Sequence, residues 1–292
     1  MRSFKTVGAA LALFVAACAA AAPAPTMIDD VAPGPSDAVL QAVVDGAWRT
    51  PEERARDQYR HPAASLSFWG LRPGATIVEI EPGGGSWWTP ILAPYAQRTG
   101  GRYIAGWLDL ASPNATDRTR TARAAFLTEY ADASIYGAVT AVDFGMHSGL
   151  ALGDNEADFI LVARAFHNWS RQGSTDRYMA EFFRVLRPGG VLAVEQHRAA
   201  PGADVTQSAP TGYVPESYVI EAAERAGFVL AGRSEINANP RDDRDHPFGV
   251  WTLPPIRRTA PQGQPADPTF DRAPYDAIGE SDRMTLRFVK PG

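Results

Sequence analysis

Three consecutive glycines follow a short apolar segment and form the first pattern in this sequence that suggests chemistry. The segment Thr76–Ile80 is followed by Glu81 and Pro82 and then by Gly83–Gly85. Glycine lets the backbone approach a ligand closely and adopt conformations that side chains forbid. The GxGxxG spacing of dinucleotide sites and the lysine of phosphate-binding loops are both missing, so neither a dinucleotide nor a nucleoside triphosphate is expected here. A tight turn without a ligand is the alternative interpretation.

Acidic residues stand at the ends of three predicted strands. Glu79 ends the first strand, Asp109 comes just after the second and Asp143 just after the third. Ligands of open parallel sheets bind at the carboxyl ends of the strands, and a carboxylate can accept hydrogen bonds from two hydroxyl groups at once. A helix cap is the alternative for Asp109, and a turn residue is the alternative for Asp143.

Short apolar segments alternate with amphipathic ones from Leu71 onward. This alternation predicts right-handed βαβ units, and hence an α/β fold with a mainly parallel sheet and helices on both faces. The predicted strands are Thr76–Ile80, Tyr103–Trp107, Ala138–Val142, Asp158–Ala163, Val191–Val194, one that starts with Gly227–Leu230, and Arg283–Val289. The predicted helices of this part are Thr89–Gln97, Pro113–Tyr130, Thr175–Leu186 and Pro215–Ala226.

Three helices are expected before the first strand. The segment Thr50-Pro51-Glu52-Glu53 has a capping hydroxyl, a proline at the first helical position and a glutamate three residues after the cap. It therefore predicts a helix through about Arg60. An earlier helix from Ser36 to Gly46 and a short one from Ala63 to Trp69 complete an N-terminal helical cap.

The glycine loop and a later segment together resemble class I S-adenosylmethionine-dependent methyltransferases. The first motif is Val78–Gly85, and the second is Val185–Leu192, which contains Arg-Pro-Gly-Gly. The resemblance covers roughly residues 65–291. It implies a three-layer αβα Rossmann-like fold with a seven-stranded, mainly parallel sheet whose last strand is antiparallel. Glu81 departs from the family pattern, because most members have a glycine at this position.

Further segments resemble a bacterial subgroup of predicted methyltransferases that carry an export signal and have no established substrate. These segments are His61-Pro62, Pro82–Trp87, His167-Asn168-Trp169 and Arg287–Pro291.

The resemblance implies S-adenosylmethionine as the cofactor. The glycine loop and Glu79 would meet its methionine part, Asp109 the ribose hydroxyls, and Asp143 with Phe144 the adenine. The expected cofactor-binding residues are Glu79, Glu81, Gly83, Gly84, Gly85, Asp109, Asp143, Phe144 and Arg164.

The segment after the fourth strand would border the transferred methyl group. His167 is the first candidate for a catalytic base and His197 the second, because imidazole exchanges protons near neutral pH. A structural role is the alternative for His167. The sequence Asn-Pro-Pro-Tyr is missing here, which weakens the case for methylation of a base or amide nitrogen. The expected substrate-pocket residues are Tyr59, His61, Trp87, Trp88, Asn168 and Trp169, for which core packing is the alternative.

The N-terminus predicts export to the periplasm. Arg2 and Lys5 precede the uncharged segment Thr6–Ala24, an arrangement typical of a secretory signal. The segment Val15-Ala16-Ala17-Cys18 resembles a bacterial lipobox, which predicts cleavage before Cys18 and a lipid anchor on that cysteine. Ordinary cleavage within Ala19–Ala22 and an uncleaved anchor are the alternatives. The expected organisation is a signal peptide at 1–17, an Ala/Pro-rich tether at 18–35, the cap at 36–70, and a methyltransferase-like domain at 71–292 with a Pro-rich insertion at about 237–280.

Composition and charge exclude several classes of protein. The 292 residues are 45% hydrophobic and 21% charged, as in soluble globular proteins. The single cysteine allows no internal disulfide and no CxxC metal site, and a net charge of −5 does not favour nucleic acid as a partner. Residues 239–243 could bind a cation, but a solvated turn is favoured, so no metal is expected. We therefore predict a methyltransferase that acts on a small molecule, with a non-catalytic exported ligand-binding lipoprotein of the same fold as the alternative.

Overall fold

The computed structural model describes Met1 and residues 38–292. The predicted signal peptide, the tether and the lipidation site at Cys18 lie outside the described residues. Within residues 38–292, none of the helices has the length and apolar character needed to cross a bilayer.

A seven-stranded sheet forms the centre of the fold. Its strands lie in the order β3-β2-β1-β6-β7-β9-β8, and only β9 runs antiparallel to its neighbours. Strands β4 and β5 form a separate antiparallel hairpin. The strands are β1 (Thr76–Ile80), β2 (Arg102–Gly106), β3 (Thr140–Val142), β4 (Phe144–Gly145), β5 (Gly149–Leu150), β6 (Ala157–Ala163), β7 (Leu186–His197), β8 (Val229–Ser234) and β9 (Arg283–Val289).

Helices precede the sheet and connect its strands. They are α1 (Ala38–Val44), α2 (Pro51–Ala55), α3 (Asp57–Arg60), α4 (Pro62–Trp69), α5 (Thr89–Thr99), α6 (Asp117–Glu129), α7 (Ala133–Tyr136), α8 (Phe166–Gln172), α9 (Thr175–Val185), α10 (Val205–Ser208), α11 (Glu216–Arg225) and α12 (Ala273–Ile278). This architecture confirms the predicted α/β fold with a mainly parallel seven-stranded sheet and an antiparallel last strand.

The helix expected from Thr50 through about Arg60 is divided into two short helices. The capping box is present, because Glu53 N donates to Thr50 Oγ1 at 3.2 Å and Thr50 N donates to Glu53 Oε2 at 2.7 Å. Helix α2 ends at Ala55, and α3 begins at Asp57. His61 then adopts a left-handed backbone with φ 40°, which ends α3 before Pro62 begins α4.

The N-terminal helices share a hydrophobic core with one face of the sheet. Leu40 and Val43 of α1 and Trp69 of α4 belong to the same buried cluster as Ile77 of β1 and Ile91 of α5. A second cluster covers the other face and includes residues of α8, α9 and α11. Both faces of the sheet are thus buried, which leaves the carboxyl ends of the parallel strands as the edge at which a ligand can enter.

Candidate active site

A cleft of about 880 Å³ opens at the carboxyl ends of β1, β2, β6 and β7. It is the edge of the sheet at which the predicted site residues were expected to meet. The sequence-predicted residues that line it are Glu81, Gly83, Gly85, Trp87, Asp109, Phe144, Arg164, His167, Asn168 and His197.

The glycine loop leaves open space in the cleft. Gly83–Gly85 form a single 3₁₀ turn after β1, and the predicted Gly84 lies in this turn. A Cβ atom placed on Gly83 or Gly85 would meet no heavy atom of the described residues within 4 Å. Glu81 has φ 49° and so takes the left-handed backbone that glycine adopts without steric cost.

Residues with a left-handed backbone conformation follow β1, β2 and β6 at the cleft. Glu81 follows β1 with φ 49°, Leu108 follows β2 with φ 55°, and Arg164 follows β6 with φ 60°. Non-glycine residues seldom adopt this conformation, and where they do, they cluster at functional sites. The strained backbone therefore marks the same edge of the sheet as the cleft.

Two carboxyl groups lie at the end of β1, the buried Glu79 and the half-buried Glu81. Glu79 accepts hydrogen bonds from Tyr103 Oη at 2.7 Å and Thr89 Oγ1 at 2.8 Å, and it lies behind the cleft wall. Glu81 lines the cleft and accepts from Trp169 Nε1 at 3.2 Å. Burial raises the pKa of each carboxyl group from 4.5 to about 7. A cationic ligand beside Glu81 would favour its ionised form.

Replacing Glu81 by glutamine should remove a pH-dependent part of the stability. Because the pKa of Glu81 is raised from 4.5 to about 7, its contribution is complete below pH 4.5 and is lost as the pH rises towards 7. The glutamine stays neutral, so the free energy of unfolding of Glu81→Gln should rise relative to wild type across this interval. Urea unfolding of both proteins at pH 4.5, 6 and 8 measures the difference.

The exposed residue Glu224 provides the control, since Glu224→Gln removes one carboxyl group from the surface of α11. A difference between Glu81→Gln and wild type that stays constant across the three pH values would contradict the prediction.

Asp109 lines the cleft, but its carboxylate is engaged by neighbouring residues. Oδ1 accepts from Ser112 N at 3.1 Å and Ser148 Oγ at 2.7 Å, and Oδ2 accepts from His147 N at 3.1 Å and Ser148 N at 2.9 Å. Burial raises the pKa of Asp109, but the hydrogen bonds from Ser148 and His147 outweigh it and bring the pKa below its ordinary value. The predicted role in ribose binding would require some of these hydrogen bonds to be exchanged.

Of the two residues predicted to contact adenine, only Phe144 lines the cleft. Asp143 lies outside the cleft, forms a 2.7 Å ion pair with Arg123 and accepts a hydrogen bond from Leu110 N at 3.2 Å. Phe144 lies in the cleft wall, where it is nearly fully buried and packs against Tyr178 with ring centroids 4.5 Å apart.

The two histidines proposed as bases lie close together in the cleft wall. Their ring centroids are 6.3 Å apart, His167 packs edge-on against Trp251, and His197 Nδ1 lies 2.5 Å from Ser281 Oγ. Burial, followed by the charge of Arg164, lowers the pKa of His167 to about 4 and the pKa of His197 well below 6.5. Both imidazoles are therefore neutral at neutral pH and hold an added proton weakly.

Several predicted pocket residues lie beside the cleft rather than in it. His61 Nδ1 is 3.2 Å from Asn237 Oδ1, and Trp88 Nε1 donates to Glu195 Oε2 at 3.2 Å. Trp169 lies behind Glu81 in the core. The residues in this group are Tyr59, His61, Trp88 and Trp169.

The sequence did not indicate a set of arginines in the cleft wall. Arg56 and Arg60 line the cleft and donate from Nε to opposite oxygens of Glu280, at 2.6 Å and 2.9 Å. Arg283 Nη1 lies 3.1 Å from the same carboxylate. More than 200 residues separate Arg60 from Glu280, so no local pattern could have predicted this contact. The other lining residues that the sequence did not indicate include Trp107, Leu108, Val250, Trp251 and Ser281.

A possible cation-binding group lies outside this cleft, at Asp242, Asp243 and His246. The Asp242 carboxylate already accepts from Tyr213 Oη at 3.1 Å and from Arg244 N at 2.9 Å, and His246 Nε2 lies 2.8 Å from Oδ1. These hydrogen bonds within the protein account for the closeness of the three side chains without a bound cation.

Comparisons with known proteins agree with the architecture. Residues 84–194 match a family described as a methyltransferase domain. A protein from Galdieria sulphuraria assigned as a sarcosine dimethylglycine methyltransferase is 14% identical and has a TM-score of 0.52. The match covers 90% of this chain and 94% of the Galdieria chain. Geranyl diphosphate C-methyltransferase from Streptomyces coelicolor A3(2) is 15% identical, covers 89% of each chain, and has a TM-score of 0.49.

None of the curated proteins compared with this chain matches it. The similarity to the Galdieria structure lies in the fold, which agrees with the strand order and the single antiparallel strand described above. The chain thus has the class I methyltransferase fold, and residues 84–194 within it match the methyltransferase domain family.

Proposed function

We propose that this protein is an S-adenosylmethionine-dependent methyltransferase that acts on a small molecule in the cleft. One observation carries this proposal: an open glycine loop lines a cleft of about 880 Å³ at the carboxyl ends of the central strands. The match of residues 84–194 to the methyltransferase domain family supports it.

The residues of the cleft fit the expected cofactor. Gly83 and Gly85 leave room for an amino acid moiety, and Glu81 offers a half-buried carboxyl group to a cationic centre. Trp107 and Phe144 provide aromatic surface for a base. When bound, the cofactor would supply an electrophilic methyl group on a sulfonium centre.

The chain's own contribution is mainly to position the acceptor. Methyl transfer requires a nucleophile held in line with the methyl group at near-attack distance, and an enclosed site favours this arrangement. Trp251, Pro254 and Ile256 line part of this space. His167 and His197 are neutral and weakly basic, so they fit orientation of the acceptor better than removal of a strongly held proton.

Isothermal titration with S-adenosylmethionine and S-adenosylhomocysteine tests the proposal. Both ligands should bind the purified protein with a stoichiometry near one, because a single cleft carries the glycine loop. The proposal would be contradicted if neither ligand bound at roughly millimolar concentration. A dissociation constant above that concentration corresponds to a binding free energy weaker than about 4 kcal/mol. Absence of binding by both ligands would favour the non-catalytic ligand-binding alternative.

A further inference from the structure

One end of the cleft contains more buried positive charge than negative charge. Glu195 accepts from Arg283 Nη1 at 2.6 Å, and Glu280 bridges Arg56, Arg60 and Arg283. Arg164 lies at the same end, where Glu195 and Glu280 stabilise its charge and Arg56 and Arg283 oppose it. We refer to Arg56, Arg60, Arg164 and Arg283 as the arginine cluster. Four guanidinium groups against two carboxylates leave a formal excess of two positive charges.

The excess is concentrated on side chains with free hydrogen-bond donors. Among the described residues, no carboxylate lies within ion-pair distance of Arg164, and its buried Nε has no hydrogen-bond partner. Arg60, only 1% exposed, has a buried Nη1 without a partner, and Nη2 of Arg56 is likewise unpaired. All three arginines line the cleft. Leaving a buried charged donor unpaired is costly, and an anionic ligand in the cleft would offset this cost if the side chains turned these donors towards it.

Nearby charged groups do not fully cancel the excess. Glu79 interacts with Arg164, but burial raises the pKa of Glu79 to about 7, so it is only partly ionised at neutral pH. Arg49 forms its own 2.7 Å ion pair with Asp57, and this pair adds no net charge. His167 and His197 are neutral at neutral pH, because burial and then the charge of Arg164 lower the pKa of each imidazole. An added anion is therefore the simplest way to balance the cluster.

The arginine cluster begins beside the expected cofactor contacts and extends from them towards β7. Arg164 is itself one of the expected cofactor-binding residues, and the Arg60 guanidinium lies 4.7 Å from the centroid of the Trp87 ring, just after the glycine loop. Glu81 follows β1 and Asp109 follows β2, whereas Glu280 precedes β9, beside β7. Arg164 follows β6, which lies between β1 and β7. The glycine loop, Glu81 and three arginines of the cluster thus line the same cleft, with Glu280 on the part nearest β7.

We propose that the arginine cluster binds a carboxylate or phosphate group of the methyl acceptor, which makes the acceptor an anionic small molecule. This inference rests on the proposed methyltransferase function. Guanidinium groups bind such oxyanions through paired, charge-assisted hydrogen bonds. Arg164 and Arg60 are the principal donors, and Glu280 holds Arg56 and Arg60 in place. The anion would anchor the acceptor in the part of the cleft that His167 lines.

Inorganic phosphate is the probe for this site. Phosphate should raise the thermal unfolding midpoint of the cofactor-free protein more than chloride at matched ionic strength, because it binds the folded cleft. Isothermal titration should show phosphate affinity reduced at least about tenfold in Arg164→Gln. Arg164→Lys should recover part of this loss, since it restores the charge without the planar fork.

Arg171→Gln is the matched control, because Arg171 is an exposed residue of α8 that does not line the cleft. It should bind phosphate as wild type does. Absence of phosphate binding by wild type, or an equal loss in Arg171→Gln and Arg164→Gln, would overturn the anion site.

The cofactor's own carboxylate is the other source of an anion, and competition separates the two. Phosphate affinity should change by less than about threefold when S-adenosylhomocysteine is saturating. If S-adenosylhomocysteine blocks phosphate while 5′-methylthioadenosine, which lacks the amino acid moiety, does not, the cluster binds the cofactor carboxylate and the acceptor proposal is wrong. If S-adenosylhomocysteine does not bind at all, the methyltransferase proposal fails, while the phosphate titrations still decide whether the cluster is an anion site.

Discussion

Replacing Glu280 by alanine should lower the free energy of unfolding by about 3–5 kcal/mol. The Glu280 carboxylate is almost fully buried and contacts Arg56 at 2.6 Å, Arg60 at 2.9 Å and Arg283 at 3.1 Å. Without it, a cluster that already has excess positive charge would lose its shared counterion. Urea-induced unfolding at pH 7 measures the change.

The same carboxylate predicts a loss of stability in acid. Burial raises the pKa of Glu280, but the charges of Arg60, Arg283 and Arg56 outweigh it and bring the pKa from 4.5 to about 2. Because the folded-state pKa is depressed, the contribution is present above pH 4.5 and is lost as the pH falls towards 2. The difference between wild type and Glu280→Ala should therefore shrink over this interval.

An exposed ion pair provides the control for Glu280. Asp154 contacts Arg184 at 2.9 Å, but its side chain is 71% exposed. Asp154→Ala should change the free energy of unfolding by no more than about 1 kcal/mol, as for other solvent-exposed pairs. Equal, small losses in both variants would show that the arginine cluster does not depend on Glu280.

Gly85→Leu should weaken the binding of S-adenosylhomocysteine by at least about tenfold while leaving the fold intact. A side chain at this position would enter open space in the cleft, since no described heavy atom lies within 4 Å of a Cβ placed there. Unlike Gly83, with φ 70°, Gly85 has no left-handed backbone, so the substitution adds no such strain. Isothermal titration measures the affinity, and urea unfolding checks the stability.

Gly153→Leu is the matched control for the glycine loop. Gly153 lies outside the cleft, and the atom that its Cβ would approach is the end of the Glu156 side chain, which can move. This variant should bind S-adenosylhomocysteine as wild type does. Wild-type affinity in a correctly folded Gly85→Leu would mean that the cofactor does not use this loop.

Local signals in the sequence were sufficient for most of the fold. The strands Thr76–Ile80 and Arg283–Val289 have the predicted bounds. A short apolar run flanked by turn residues defines the first, and alternation of polar and apolar residues defines the second. The helix predicted through Arg60 is divided at Arg56, a residue with a tertiary contact that local signals do not show. Its side chain forms an ion pair with Glu280, more than 200 residues away.

The two acidic residues after β2 and β3 illustrate where local reasoning stops. The spacing placed Asp109 and Asp143 at the carboxyl edge of the sheet, which is where they lie. However, spacing in the sequence cannot show which hydrogen-bond donors the two carboxylates bind. His147 and Ser148, in the turn between β4 and β5, donate hydrogen bonds to the Asp109 carboxylate, and Arg123 forms an ion pair with Asp143.

The sequence by itself determined the class of fold, the glycine loop and the edge of the sheet where a ligand would bind, because periodicity and strand-end motifs are local properties of the chain. Its prediction of an exported, lipid-anchored protein also rests on the sequence alone. Only the tertiary structure decided the electrostatics of the cleft. Arg60, Arg164 and Glu280 come from distant parts of the chain. The ion pair between Arg60 and Glu280, and the buried donors of Arg60 and Arg164 that have no partner, exist only when the fold brings these residues together.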